Sequence, residues 1–212
     1  MTQCIPLRCA CGKLKGSAAD VDGGQGNHIV CYCDDCQAFQ HFLGQADAVL
    51  DAHGGTRIFQ MSPGKVEFTE GSDQLACMRL GPKGVVRWYA ACCNTPIGNT
   101  LATPALPFVG LICACMDLGA GEASFEQALG PLKCGVHGRF ALGTPIGVAL
   151  HDSASISFVA SFLAKSLRWK LRGDHKRSPF FVGNGALRAT PQVLTKPERD
   201  GVDAARAAWR PT

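Results

Sequence analysis

The chain lacks an uninterrupted apolar run of about eighteen residues, so no membrane-spanning helix is expected. Its start, MTQCIPLRCACGK, lacks a basic segment followed by an apolar run; it does not read as a secretory leader, and a cytoplasmic setting is expected. Internal repeats and low-complexity tracts are absent too. Charge is sparse, with 18% charged residues and a net +4, so nucleic acid is not an expected partner. What charge there is falls unevenly. Residues 1–110 carry 8 Lys and Arg against 9 Asp and Glu, whereas 111–212 carry 13 against 8, which suggests different jobs for the two halves.

The 212 residues are enough to bury a real core, either as one large domain or as a domain with an appendage. Twenty-five glycines and twelve prolines favour turns over long helices. Short runs rich in Val, Ile and aromatic residues (HIVCYC, TRIFQM, VEFTEG, LACMRL, VVRWYAAC, FVGLICAC) alternate with turn signals. The fold class expected is mainly β, a sandwich or open barrel over residues 1–118. One short helix is expected after Cys36, where CQAFQHFLG ends in a glycine suited to a C-cap. Residues 119–150 read as a Gly-rich connection. Residues 151–212 read as a basic, partly helical C-terminal extension. Over 154–172, Ile156, Val159, Phe162, Leu163 and Leu167 recur at helical spacing, with Lys165, Arg168, Lys170 and Arg172 toward the end. Packing of this apolar face on the β-domain, or on a partner chain in a homodimer, is expected; an anionic membrane or nucleic acid is the competing occupant. A last short helix is expected over Val202–Trp209.

Twelve cysteines in a reducing compartment, gathered at short spacings, argue for metal before disulfides. Three clusters matter: Cys9-Ala-Cys11-Gly, Cys31-Tyr-Cys33-Asp-Asp-Cys36 and Cys92-Cys93-Asn-Thr-Pro. Residues i and i+2 of a strand share a face, so Cys9/Cys11 and Cys31/Cys33 each present two sulfurs side by side. Cys36, after a two-residue turn, brings a third sulfur back to Cys31 and Cys33. Three thiolates fill three corners of a zinc tetrahedron and leave one for a ligand. Cys9 and Cys11, joined by Cys93 and one more sulfur, would instead close a four-thiolate site. The alternatives are plain burial of small apolar thiols and, at Cys33–Cys36, a redox pair, which no βαβ pattern supports.

The order of these clusters, with Cys93-Asn-Thr-Pro following an aromatic strand, resembles the glutathione-dependent formaldehyde-activating enzyme family, also called centromere-protein-V-like, over about residues 5–115. The resemblance implies an Mss4-like β-rich zinc domain and one or two Zn²⁺ per chain. It also implies carbon–sulfur lyase chemistry on a small glutathione-type thiol adduct. Cys31, Cys33 and Cys36 match the family's catalytic zinc motif; Cys9, Cys11 and Cys93 match structural ligands. One position departs: the remaining structural cysteine would fall at 90, which is Ala90. Cys92 replaces it only if the backbone turns sharply there, because neighbours in an extended strand face opposite ways.

Counter-charge for an anionic adduct would come from Lys13, Lys15, Arg79, Arg87 or the basic extension. His28 and His41 read as hydrogen-bonded neighbours of the site, Asp34 and Asp35 as solvent-facing, and Cys113 and Cys115 as buried thiols. Cys4, Cys77 and Cys134 carry no assigned role. A zinc-stapled binding module, in which the metal holds the fold and the basic extension meets a partner, is the non-enzymatic alternative.

Overall fold

The computed structural model describes residues 3–118, 122–153, 156–183 and 185–211. In chain order the strands are β1 (Gln3–Arg8), β2 (Lys15–Val21), β3 (Asn27–Cys31), β4 (Thr56–Met61), β5 (Val66–Glu70), β6 (Leu75–Arg79), β7 (Val86–Ala90), β8 (Thr95–Thr100), β9 (Val109–Ile112), β10 (Cys134–Val136), β11 (Leu150–His151) and β12 (Gln192–Val193). The helices are α1 (Asp34–Leu43), α2 (Ala46–Val49), α3 (Glu122–Leu129), α4 (Ile156–Leu171) and α5 (Lys196–Ala208). The protein is mainly β, as expected, with a C-terminal helix. No helix among the described residues is long and apolar enough to cross a membrane.

Strands β1, β2 and β5 form a small antiparallel sheet. The other nine form a mixed sheet in the order β11-β10-β3-β4-β9-β8-β7-β6-β12. Alternation along the central strands splits the interior in two. Val86, Trp88 and Ala90 of β7 join a core with Ile5 and Leu7 of β1 and Val66 of β5, which seals the small sheet onto the large one. Tyr89, between them, packs against a second core, where Ile58, Met78 and Ile112 meet Phe39 and Leu43 of α1. Trp88 is fully buried, and its indole N–H is satisfied by Thr100 Oγ1 at 2.9 Å.

Helix α1 covers the expected stretch but begins at Asp34, two residues before Cys36, so the two-residue turn is the first turn of the helix. Cys33 is its N-cap, Asp34 and Asp35 favour its positive end, and Gly44, at φ 67°, closes it in the left-handed conformation. The C-terminal helix begins earlier than Val202. Thr195 and Glu198 form a capping box, with Pro197 inside the first turn, so α5 starts at Lys196.

Residues 119–150 are more than a connection. They include α3 and the strand β10, which lies parallel between β3 and β11. All three residues of β10 are buried, so it shows no alternation to read in sequence. The extension also joins the large sheet, through β12 beside β6.

Of the expected apolar face of α4, only Phe162 packs on the β-domain. Phe162 stacks edge-on against Phe108 at 5.2 Å, Trp169 is buried, and Lys165 Nζ donates to Gly26 O at 2.7 Å and Asn27 Oδ1 at 3.1 Å. Ile156, Val159, Leu163 and Leu167 face outward. The aromatic residues, not the aliphatic ones, hold the helix to the β-domain. Gly173 follows its end in the left-handed conformation at φ 74°.

Candidate metal centres

The cysteines converge on two separate groups, Cys9, Cys11, Cys92 and Cys93 in one and Cys31, Cys33 and Cys36 in the other; within each group the sulfurs lie within 4.8 Å of one another. Cys113, Cys115, Cys4, Cys77 and Cys134 stand outside both, as do His28 and His41. His28 is buried, with Nδ1 2.8 Å from Gly130 O, and His41 meets the Trp209 ring edge-on.

The four-thiol group is built from two turns. After β1 the chain doubles back: Gly12 N–H donates to Cys9 O at 2.9 Å and Cys9 N–H to Leu14 O at 3.0 Å, while Leu14 N–H donates to Cys9 Sγ at 3.2 Å. The second turn brings Cys92 into the group. Strand β7 ends with Ala90 buried in the core between the sheets, and the N–H groups of Cys93 and Asn94 both fold back onto Ala90 O, at 3.3 and 2.8 Å. Asn94 takes the left-handed conformation at φ 57°. That sharp turn is the condition set for Cys92, whose Sγ lies 3.3 Å from Cys11 Sγ and 3.7 Å from Cys9 Sγ. Thr95 ties the turns together: Ala10 N–H donates to Thr95 Oγ1 at 2.9 Å, and the same oxygen is 3.1 Å from Cys93 Sγ.

Four thiols this close cannot all ionise freely. Cys92 is pushed up to about 12, first by desolvation and then by hydrogen bonds with Cys11, Cys9 and Cys93. For Cys93 desolvation also pushes upward, but hydrogen bonds from Thr95 and the Cys11 amide outweigh it and bring the thiol down to about 6.

The three-thiol group sits on the opposite face of the large sheet, beside the second core. Cys31 ends β3, Cys33 caps α1, and Cys36 lies in its first turn with its N–H donating to Cys33 Sγ at 3.3 Å. Cys31 and Cys33 sulfurs are 3.4 Å apart. Cys31 and Cys36 are buried and Cys33 is half-buried. Hydrogen bonds with Cys31 and Cys33, then the charge of Arg87, hold the Cys36 thiol well below the usual thiol range despite its burial. Cys31 is pushed well above that range, first by its hydrogen bonds with Cys33 and Cys36.

Arg87 is the neighbour that separates the two groups. It alternates with Val86 and Trp88 on β7, so it points to the α1 side, where it is 3% exposed. Its Nη1 lies 3.7 Å from Cys36 Sγ and 3.3 Å from Asn99 Oδ1, and its guanidinium stands 5.5 Å from the Phe39 ring centroid. Asp35 is not simply solvent-facing. It lies 3.8 Å from Arg87 Nη2 and accepts from Arg199 Nη1 of α5 at 2.8 Å. Of the cations expected to supply counter-charge, Arg87 reaches a thiol, whereas Lys15 pairs with Glu70 and Arg79 donates to Gly84 O. Sequence reasoning missed Asn99 and Arg199. An arginine between valine and tryptophan in a buried strand was the available signal that something anionic lies opposite.

The donor chemistry fits a soft divalent metal. All seven donors are thiols; five sulfur pairs, Cys9–Cys11, Cys9–Cys92, Cys11–Cys92, Cys92–Cys93 and Cys31–Cys33, stand 3.3 to 3.9 Å apart, and all sulfurs of each group lie within 4.8 Å of one another. A tetrahedron with metal–sulfur bonds of about 2.3 Å has edges of about 3.8 Å. Both groups could therefore hold a metal ion, the first with four protein sulfurs and the second with three.

Against known proteins, residues 1–189 match the model of a family of unknown function, DUF6151. A search of curated proteins finds no match. A crystal structure of a Rhodobacter sphaeroides protein from a structural-genomics programme is similar at a TM-score of 0.41 and 14% identity, covering 60% of this chain and 96% of that one.

Proposed function

The chain belongs to DUF6151, a family of unknown function, so its activity has to be read from its own thiols, and we propose that it is a zinc-dependent carbon–sulfur lyase-like enzyme acting on glutathione or a related thiol–aldehyde adduct. One observation carries this reading: Cys31, Cys33 and Cys36 gather three sulfurs, and no fourth His, Cys, Asp or Glu among the described residues joins the group. Zinc held there would supply a Lewis acid with one position left for a sulfur or oxygen of the substrate.

The surrounding residues suit an anionic substrate. Three thiolates on a dication leave a net negative centre, which repels a thiol adduct carrying carboxylates. Arg87, buried against Cys36, offsets one of those charges, and Asn99 and Asp35 hold its guanidinium in place. In the forward direction the thiol sulfur bonds to the aldehyde carbon, the carbonyl π pair moves to oxygen, and the thiol proton ends on that oxygen. Cleavage reverses each change. The four-thiol centre, with no open corner, is the staple that joins the turn after β1 to the turn after β7.

The test is acceleration of glutathione–formaldehyde adduct exchange by zinc-loaded protein, read by NMR exchange rates. Cys33→Ser is expected to abolish acceleration with little change in melting temperature. No acceleration by protein carrying its full metal complement would sink the lyase reading and leave a zinc-stapled binding module.

A further inference from the structure

Helix α4 presents an apolar face that nothing in the described chain covers. Ile156 is 90% exposed, Leu171 81%, Leu167 57% and Leu163 50%. At 100° per residue these four, with Val159, Ala160 and Ala164, form one continuous outer arc. The inner arc faces the protein: Phe162 on Phe108, Lys165 on Gly26 and Asn27, and Trp169 and Ser166 buried. The exposed arc is therefore a feature of a docked helix with a defined outer face.

Charge decides what fits it. The segment ISFVASFLAKSLRWKL contains no acidic residue. Lys170 falls within the arc, between Val159 and Leu163, while Arg168 and then Arg172 fall beyond its other edge; all are exposed, and Lys176 follows. The nearby Asp174 is buried and held by Ser62 and Arg177, so it does not answer these charges. A second copy packed face to face would set the same cations against themselves with no carboxylate on the arc. An anionic lipid surface takes both components, with apolar side chains entering the acyl boundary and long cationic side chains reaching back to phosphates.

We infer that α4 is a membrane-surface anchor that lies in the plane of an anionic bilayer through Ile156, Leu163, Leu167 and Leu171, with Arg168, Lys170 and Arg172 on headgroup phosphates. This requires nothing of the thiol centres and stands or falls separately from the lyase reading.

The test is flotation of the full chain with vesicles of phosphatidylcholine alone and of phosphatidylcholine mixed with phosphatidylserine. Binding to the mixed vesicles, reversed by high salt, and none to the neutral ones is expected. L163E/L167E, two exposed positions whose change leaves the fold intact by circular dichroism, should abolish binding. R168Q/K170Q/R172Q should weaken it by about a hundredfold, roughly fivefold per cation. Absence of binding, equal binding to both vesicle types, or binding retained by L163E/L167E would overturn the inference. So would a wild-type dimer in sedimentation that L163E/L167E converts to monomer, since a second copy would then own the face.

Discussion

The two thiol centres use the same local device, a pair of cysteines two residues apart at a strand end, yet they are finished differently. The four-thiol centre lies at the rim, with Cys11 exposed, and the groups that steady its sulfurs are uncharged: the Leu14 amide and the Thr95 hydroxyl. The three-thiol centre is the more buried of the two, and its neighbour is a buried cation, Arg87. A staple would need only its last corner filled, which Cys92 is placed to do. A working site needs that corner free and the charge of its ligands managed, which is the part Arg87 plays in the function proposed here.

The most damaging test of this contrast is loss of metal from the staple. Cys9→Ser or Cys93→Ser should lower stability by about 5 kcal/mol or more in urea unfolding, because two distant turns lose their link. Cys33→Ser, by contrast, should change the melting temperature little. Equal losses at both centres would erase the distinction. Next in size, Arg87→Leu should cost about 3 kcal/mol in urea unfolding, since Asp35 and the thiolates lose their buried partner, and it should abolish binding of an anionic thiol adduct in calorimetry. Arg87→Lys should recover part of the stability and little of the binding. Smaller still, Arg199→Ala should cost at most about 1 kcal/mol, because Asp35 is half exposed and its pair with Arg199 is screened.

The smallest effect serves as a control outside both centres. Burial, and then the neighbouring Lys133, draw the Lys165 amine from 10.5 down to about 8. Its folded value lies below its unfolded one, so between pH 8 and 10.5 the unfolded chain binds more protons and this group's contribution to stability rises with pH. Below that window its burial is a constant cost. The difference in urea midpoint between wild type and Lys165→Met should change across this window and be flat below it. A flat difference throughout would show that Lys165 titrates normally.

Much of this was legible in the sequence because it rests on local rules. Strand runs, the helix around Cys36 with its Gly44 cap, and both cysteine groupings follow from spacing and turn chemistry. Cys92 was legible only as a condition, since its role depends on whether the chain turns after Ala90, and Asn94 supplies that turn. What escaped was non-local. Strand β10 is too short and too evenly buried to show a period. Arg199 reaches Asp35 across 164 positions, and no pattern near either residue announces the pair. In α4 the apolar periodicity was real, but periodicity does not say which face turns inward; Phe162 and Trp169 took the inside and left the aliphatic residues out.

The central claim is that one centre is closed by protein sulfur and the other is not. The most direct measurement is zinc content by native mass spectrometry of reduced protein, combined with X-ray absorption at the zinc edge. Two zinc ions per chain, with the average coordination short of four sulfurs and completed by a lighter atom or an added thiol, is the predicted result. A single zinc, or two ions each surrounded by four protein sulfurs, would contradict it.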